Sequence, residues 1–250
     1  WRGELPPDEL GWKKLKEIVT EVKALTRVVW RAVGIDRPGI PLPRRVIDLD
    51  IALPSGRRMT GTIADLVGDK VITATYSKAR ARQRLRSWIT SLALVASGEP
   101  YASHVVARHG RDRRAHYIHG GHTRERALEL LDQLIDVRDR GLCEPIPLPL
   151  DTSYAWAEKF LGDARHDEGA ATQRAARDGW ETDPNLGFPK EQHDPSHQFV
   201  YGGVVPLTDI LGTPAEDEVW EPAVTSRLGQ LALRVWGPLL QDGREECFFS

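Results

Sequence analysis

The sequence predicts a mixed α/β domain with a helical tail. Three observations carry this expectation. Residues 46–76 alternate apolar and polar side chains with a period of two, broken only by turn residues. Residues 80–96 and 123–141 repeat their apolar side chains at helical spacing. Beyond the prolines at 145, 147 and 149, the patterns are mostly helical.

Leu10, Leu15, Ile18, Val19, Val22 and Leu25 make residues 8–33 an amphipathic helix, with Gly34 as C-cap and Pro38 preventing its resumption. Residues 35–45 hold three prolines and read as a loop. Strands are expected at 46–53, 57–66 and 70–76, joined by Pro54-Ser55-Gly56 and Gly68-Asp69 into a meander. A helix over 80–96 carries Leu85, Trp88, Ile89, Leu92 and Val95 on one face. Two further strands, 101–107 and 113–119, flank a basic turn at His109-Gly110. In the helix over 123–141, Thr123 is the N-cap, Arg126 stands where a capping-box acid would, and Gly141 marks the end. An extended proline linker follows. Helices are then expected at 153–162 and 167–178, turns at 179–198, a short helix or turn at 207–212, and a final helix over 217–240 broken near Gly237-Pro238. The whole of 1–250 reads as one domain, with 46–141 its core and 142–250 a linker and mostly helical tail.

The composition, 40% hydrophobic and 28% charged over 250 residues, is that of a globular protein with a substantial core. No apolar run is long enough to span a membrane, so no membrane association is expected. The chain starts at Trp1 without a leader and reads as a piece of a longer protein. Cys143 and Cys247 have no CxxC spacing, which argues against zinc and for a reducing cytoplasm. No G-x-S-x-G elbow or phosphate-binding glycine loop is present, so neither serine hydrolase chemistry nor ATP hydrolysis is expected.

The 34 basic and 36 acidic residues nearly cancel, but their distribution is lopsided. Lys78, Arg80, Arg82, Arg84 and Arg86 crowd one stretch, and Arg108, Arg111, Arg113 and Arg114 another. No acid lies between Asp69 and Glu99 to neutralise the first run. Unneutralised arginines suit phosphate or an acidic protein surface; DNA contact, partner contact and a plain solvated face all remain open readings.

Residues 57–94, RRMTGTIADLVGDKVITATYSKARARQRLRSWITSLAL, resemble the C-terminal domain of RecC, the gamma subunit of bacterial exodeoxyribonuclease V. RGELPPDELG, GLCEPIPLPLDTSYAWAE and GWETD resemble further blocks of the same family, scattered from about residue 2 to 240. The resemblance implies a PD-(D/E)xK nuclease-like mixed sheet flanked by helices, similar to the nuclease domain of the partner subunit RecB. Active members of that class hold Mg²⁺ with two carboxylates beside a lysine. Here Gly61-Thr62-Ile63 matches the G-x-I segment, but Ala64 occupies the aspartate position. Thr75-Tyr76-Ser77 replaces D-Y-K, and Arg86 stands near the position of a helix glutamine. The resemblance therefore implies a domain without catalysis, metal or cofactor. Its implied partners are RecB, RecD and DNA, with Lys78, Arg80, Arg82, Arg84, Arg86, Arg111, Arg113 and Arg114 as contact residues. The rival is a Mg²⁺-dependent nuclease using a shifted set, Asp48, Asp50 and Asp65.

Other features have structural readings. His104, His109, His116, His119 and His122 lack a completing cysteine or carboxylate at ligand spacing, so a solvated loop is expected. Of the 8 tryptophans most should be core, with Tyr154 and Trp156 as candidate interface anchors.

Overall fold

A computed structural model describes residues 8–34, 43–99, 101–109, 113–185, 187–241 and the backbone of 245–249. Helix α1 (Asp8–Ala32) is followed by strands β1 (Arg44–Ala52), β2 (Arg58–Val67) and β3 (Lys70–Lys78), then α2 (Ala81–Ala96), β4 (Ala102–His109), β5 (Arg113–His119) and α3 (Arg124–Cys143). The tail is α4 (Leu150–Gly162), α5 (Ala170–Trp180), short helices α6 (Pro195–Tyr201) and α7 (Leu207–Ile210), α8 (Arg227–Gln241) and a last strand, β6 (Glu245–Phe249). The six strands form one sheet in chain order, β1 to β6.

The sheet is mixed. β3 and β4 are parallel, joined by the α2 crossover, and every other neighbouring pair is antiparallel. The meander forms, but β2 and β3 pair only beside their turn, at Leu66–Val71 and Val67–Lys70. Beyond that turn β2 stays with β1, and β3 pairs with β4 from Lys70 onward. A bulge opposite Val46 aids this divergence. Asp65 adopts a φ of 63°, a conformation that short polar residues tolerate, and the register shifts between Arg45 and Ile47.

Helix α1 covers one face of the sheet and α2 the other. Val106 packs on Leu25 and Val28 of α1, whereas Ser103, one residue out of phase with it, bonds Ser87 of α2. The main core runs without interruption from Leu49 and Ile51 through Trp88, Leu92, Leu130 and Trp156 to Leu228 and Trp236. It therefore joins the sheet's α2 face to the helical tail. Gly229 permits the closest approach there, since a Cβ at that position would lie 2.6 Å from both Trp156 and Val224.

Several expected boundaries move. Gly141 lies inside α3, which runs to Cys143; its bare Cα lets Ile146 fold back over the last turn, 3.3 Å from where a Cβ would sit. Residues 179–198 include the start of α6, capped by the Asp194 side chain. Helix α8 does not break at Pro238. A proline leaves the carbonyl four residues earlier without its donor, and the Gln133 side chain of α3 supplies one to the Arg234 carbonyl. β6 carried no signal that the pattern reading registered.

Thr123 caps α3 as expected, its hydroxyl accepting from the Arg126 N–H at 3.2 Å. Thr123→Ala should lower stability by about 1 kcal/mol, measured as a shift in urea midpoint with an unchanged slope.

Candidate functional site

At the positions that the resemblance equates with a nuclease centre, no carboxylate or lysine stands. Ile63 faces the α2 side, where it packs against Leu66, Val71 and Leu94. Ala64 is exposed and lies within the bulge opposite Val46. Thr75 shares the phase of Val71 and lies on the α2 side, its hydroxyl 2.9 Å from that of Ser77. Arg86 is exposed on α2.

The rival carboxylates are each engaged elsewhere on the exposed β1–β2 ribbon. Asp48 accepts from the Thr62 hydroxyl at 2.8 Å. Arg58 grips Asp50 through two hydrogen bonds and holds its carboxyl below the usual range. Asp65 pairs with Arg44 at 2.7 Å. Among the described residues no three His, Cys, Asp or Glu side chains come together as a metal site.

The basic run at 78–86 straddles a cleft of about 780 Å³ where β3 passes into α2. Lys78 and Arg80 stand exposed at its rim, and Arg80 reaches Asp151 of α4 at 3.9 Å. Arg84 is not a surface contact residue: it is buried. Its guanidinium lies over the rings of Tyr154 and Tyr117, at 4.8 and 5.3 Å, and donates to the Tyr154 hydroxyl. The Tyr154 hydroxyl donates in turn to Glu158, and burial pushes the phenol's pKa up.

Glu191 closes the far wall, accepting from the Asp151 N–H at 3.0 Å and from the Thr152 N–H and hydroxyl at 2.8 and 2.7 Å. It thereby caps α4, and burial together with Glu191 raises Asp151. Lys190, His193 and His197 complete the rim. The cleft is thus lined by both signs of charge. The acids come from segments about seventy and more than a hundred positions downstream of the arginines, so nothing near the basic run in sequence announces them.

Arg82 and Arg86 differ from Arg84. They share the outer face of α2, are exposed, and form no ion pair among the described residues.

In the second basic segment, Arg113 is exposed. Arg114 is withdrawn from any contact role, because its guanidinium binds both oxygens of Glu21 on α1, at 3.1 and 2.7 Å. Arg108 lies 3.7 Å from the same carboxylate and 4.8 Å over the Tyr76 ring. Arg111 lies outside the described residues.

The histidines are not a solvated loop. His104, His116 and His119 sit in β4 and β5, with His104 and His119 buried. His104 Nδ1 is 2.9 Å from His116 Nε2, and His119 Nδ1 is 2.9 Å from the Ser87 hydroxyl. The Trp88 indole donates to His122 at 3.3 Å. The histidines of β5 are enclosed because it is an interior strand, paired on both sides. Trp156 is wholly buried and stacked on Phe160 at 4.9 Å, so it belongs to the core and not to an interface. Among the described residues, the widely exposed tryptophan is Trp12.

No described helix is long and apolar enough to cross a membrane. Residues 1–161 match the family model described as RecC C-terminal domain. The RecBCD enzyme subunit RecC of Mycolicibacterium smegmatis is 34% identical over 246 residues, covering 97% of this chain and 21% of that protein. Its namesake in Mycobacterium tuberculosis (strain CDC 1551 / Oshkosh) is 34% identical over 248 residues, covering 96% of this chain and 20% of that protein. The chain thus spans about a fifth of the length of these relatives. On the family match and on identity sustained along nearly its whole length, this chain belongs to the RecC C-terminal domain family.

Proposed function

We propose that this chain is a non-catalytic structural and DNA-guiding domain of the RecC subunit of a RecBCD-type helicase–nuclease, acting in the cytoplasm in double-strand break repair and homologous recombination. Its partners in this reading are RecB, RecD and the DNA being processed, and residues 1–250 act as one unit around the 46–141 core. The observation that carries the reading is that Ala64, Thr75 and Ser77 stand where the resemblance puts a metal centre, while Asp48, Asp50 and Asp65 are each committed to an arginine or threonine. An alanine methyl cannot ligate Mg²⁺, and a serine hydroxyl cannot supply a lysine's charge.

Two measurements test it. The purified chain with Mg²⁺ or Mn²⁺ should leave linear and single-stranded DNA intact at the level of a buffer blank. Cleavage lost in Asp65→Ala would establish the rival nuclease instead. In the full complex, Arg82→Glu with Arg86→Glu should weaken DNA-end binding without sequence preference. The log–log salt dependence should become shallower by about 1 to 2, since each lost phosphate contact retains a counterion. Unchanged binding across the salt series would return these arginines to the solvated surface.

A further inference from the structure

Helix α1 buries only part of the apolar face its spacing suggested. Leu25 and Val28 meet the sheet, while Val19 and Val22 remain 40% and 44% exposed and Trp12 66% exposed. The exposed side is itself ordered. Trp12, Leu15, Val19 and Val22 follow one another in alternating steps of three and four, the spacing of a coiled-coil seam; Thr26 continues it until Val29 packs against the cluster of Leu25 and Val28. Lys13, Lys16, Lys23 and Arg27 form a parallel ridge on its solvent side and have no ion pair among the described residues. The helix's own acids past the first turn are taken. Glu17 binds Lys14 at 3.3 Å, and Glu21 binds Arg114 at 2.7 Å.

We propose that this seam docks an amphipathic helix of a partner protein, apolar along its own three-and-four stripe and acidic on the flank that meets Lys16 and Lys23. The stripe holds two positions in each seven, too narrow for a helix lying in a lipid surface, which buries a broad face. A second copy of this chain fits poorly. Of the two flanks, the one next to the sheet is Ile18 and Leu25 and carries no charge, so antiparallel self-pairing sets lysine against lysine and parallel self-pairing sets lysine against an apolar flank, with no acid in either to offset it. Charge complementarity therefore selects an acid-flanked partner. The inference does not depend on the DNA-guiding reading, since the seam and the cleft beside Arg84 share no residue.

The probe is a tryptophan-free synthetic peptide of about four heptads, with leucine along its stripe and glutamate on both flanks, which keep it from pairing with itself. Titrated into the chain, it should bind saturably, shifting tryptophan emission to the blue as Trp12 loses water. Val19→Asp with Val22→Asp should abolish binding while circular dichroism stays native, because both side chains are exposed. Lys16→Glu with Lys23→Glu should weaken the acidic peptide about tenfold or more and favour a lysine-flanked one. Equal binding of acidic and basic peptides by the unaltered chain, or binding that survives the Val19/Val22 change, would overturn the proposal. So would a dimer of the chain that Val22→Asp dissolves, or attachment to phosphatidylserine vesicles without peptide binding.

Discussion

Trp236→Ala is expected to lower folding stability by about 3–5 kcal/mol, among the largest losses a single truncation brings. The indole is fully buried, donates to the Ser153 hydroxyl at 3.0 Å and meets the Tyr154 ring edge-on at 5.3 Å. Its removal opens a cavity between α8 and α4 and leaves the wall of the cleft without backing. Neighbouring elements resist closing the gap, because the start of α8 is already held. The Glu168 carboxylate accepts from the N–H groups of Thr225 and Ser226, at 2.7 and 3.2 Å, before the first turn. Glu218, fully buried, receives two hydrogen bonds from Arg227 at 2.7 and 2.9 Å. Trp236→Phe should cost markedly less, since most of the volume remains and only the hydrogen bond is lost. Equilibrium denaturation by urea would show both effects as midpoint shifts. A loss under about 1 kcal/mol for Trp236→Ala would mean that the tail does not share the core of the sheet.

The parts of this fold legible in the sequence are those set by local chemistry. β1 and its turn at Pro54-Ser55-Gly56 follow from strict alternation beside turn formers, and α2 and the Thr123 cap from helical period and a single hydroxyl. What stayed hidden depends on residues far apart in the chain. Whether β3 pairs with β2 or β4 along its length is a competition that the α2 crossover decides, and neither strand's pattern records it. Pro238 reads as a break until Gln133, more than a hundred positions away, is seen to satisfy the freed carbonyl. α1 shows the same limit within one helix: it has two apolar stripes, and only the sheet determines which is buried.

The candidate site divides along the same line. That Ala64, Thr75 and Ser77 supply neither a carboxylate nor a lysine is written in the sequence itself. The fate of each arginine is not, because Arg84 and Arg114 are claimed by Tyr154 and Glu21, both distant in sequence. Arg82 and Arg86, on the outer turn of the same helix, are left to solvent because α2 turns its other side to the core.

The pair His104–His116 should make stability fall below neutral pH. His104 is buried on the α1 face of the sheet, and burial, with His116 next and Lys70 and His119 adding to it, lowers its pKa to about 4; Asp69 opposes weakly. His116 is also lowered, by burial. His104 Nε2 has no hydrogen-bond partner, so a second proton there would be a buried charge with nothing to receive it. A histidine whose folded pKa lies below its unfolded value stays neutral when folded while the unfolded chain takes up a proton. Its contribution is therefore complete above an unfolded pKa of about 6.5 and is lost progressively as pH falls towards the folded value. Between about pH 7.5 and about pH 5, His104 alone should cost about 2 kcal/mol, with His116 acting in the same direction. Most carboxylates stay ionised in that window, so the loss separates from general acid unfolding. His104→Gln, which cannot take up the proton, should flatten the profile over this range even if it lowers stability at neutral pH. If urea midpoints of the variant and the unaltered chain fell in parallel from neutral to mildly acidic pH, the buried pair would not be the titrating element.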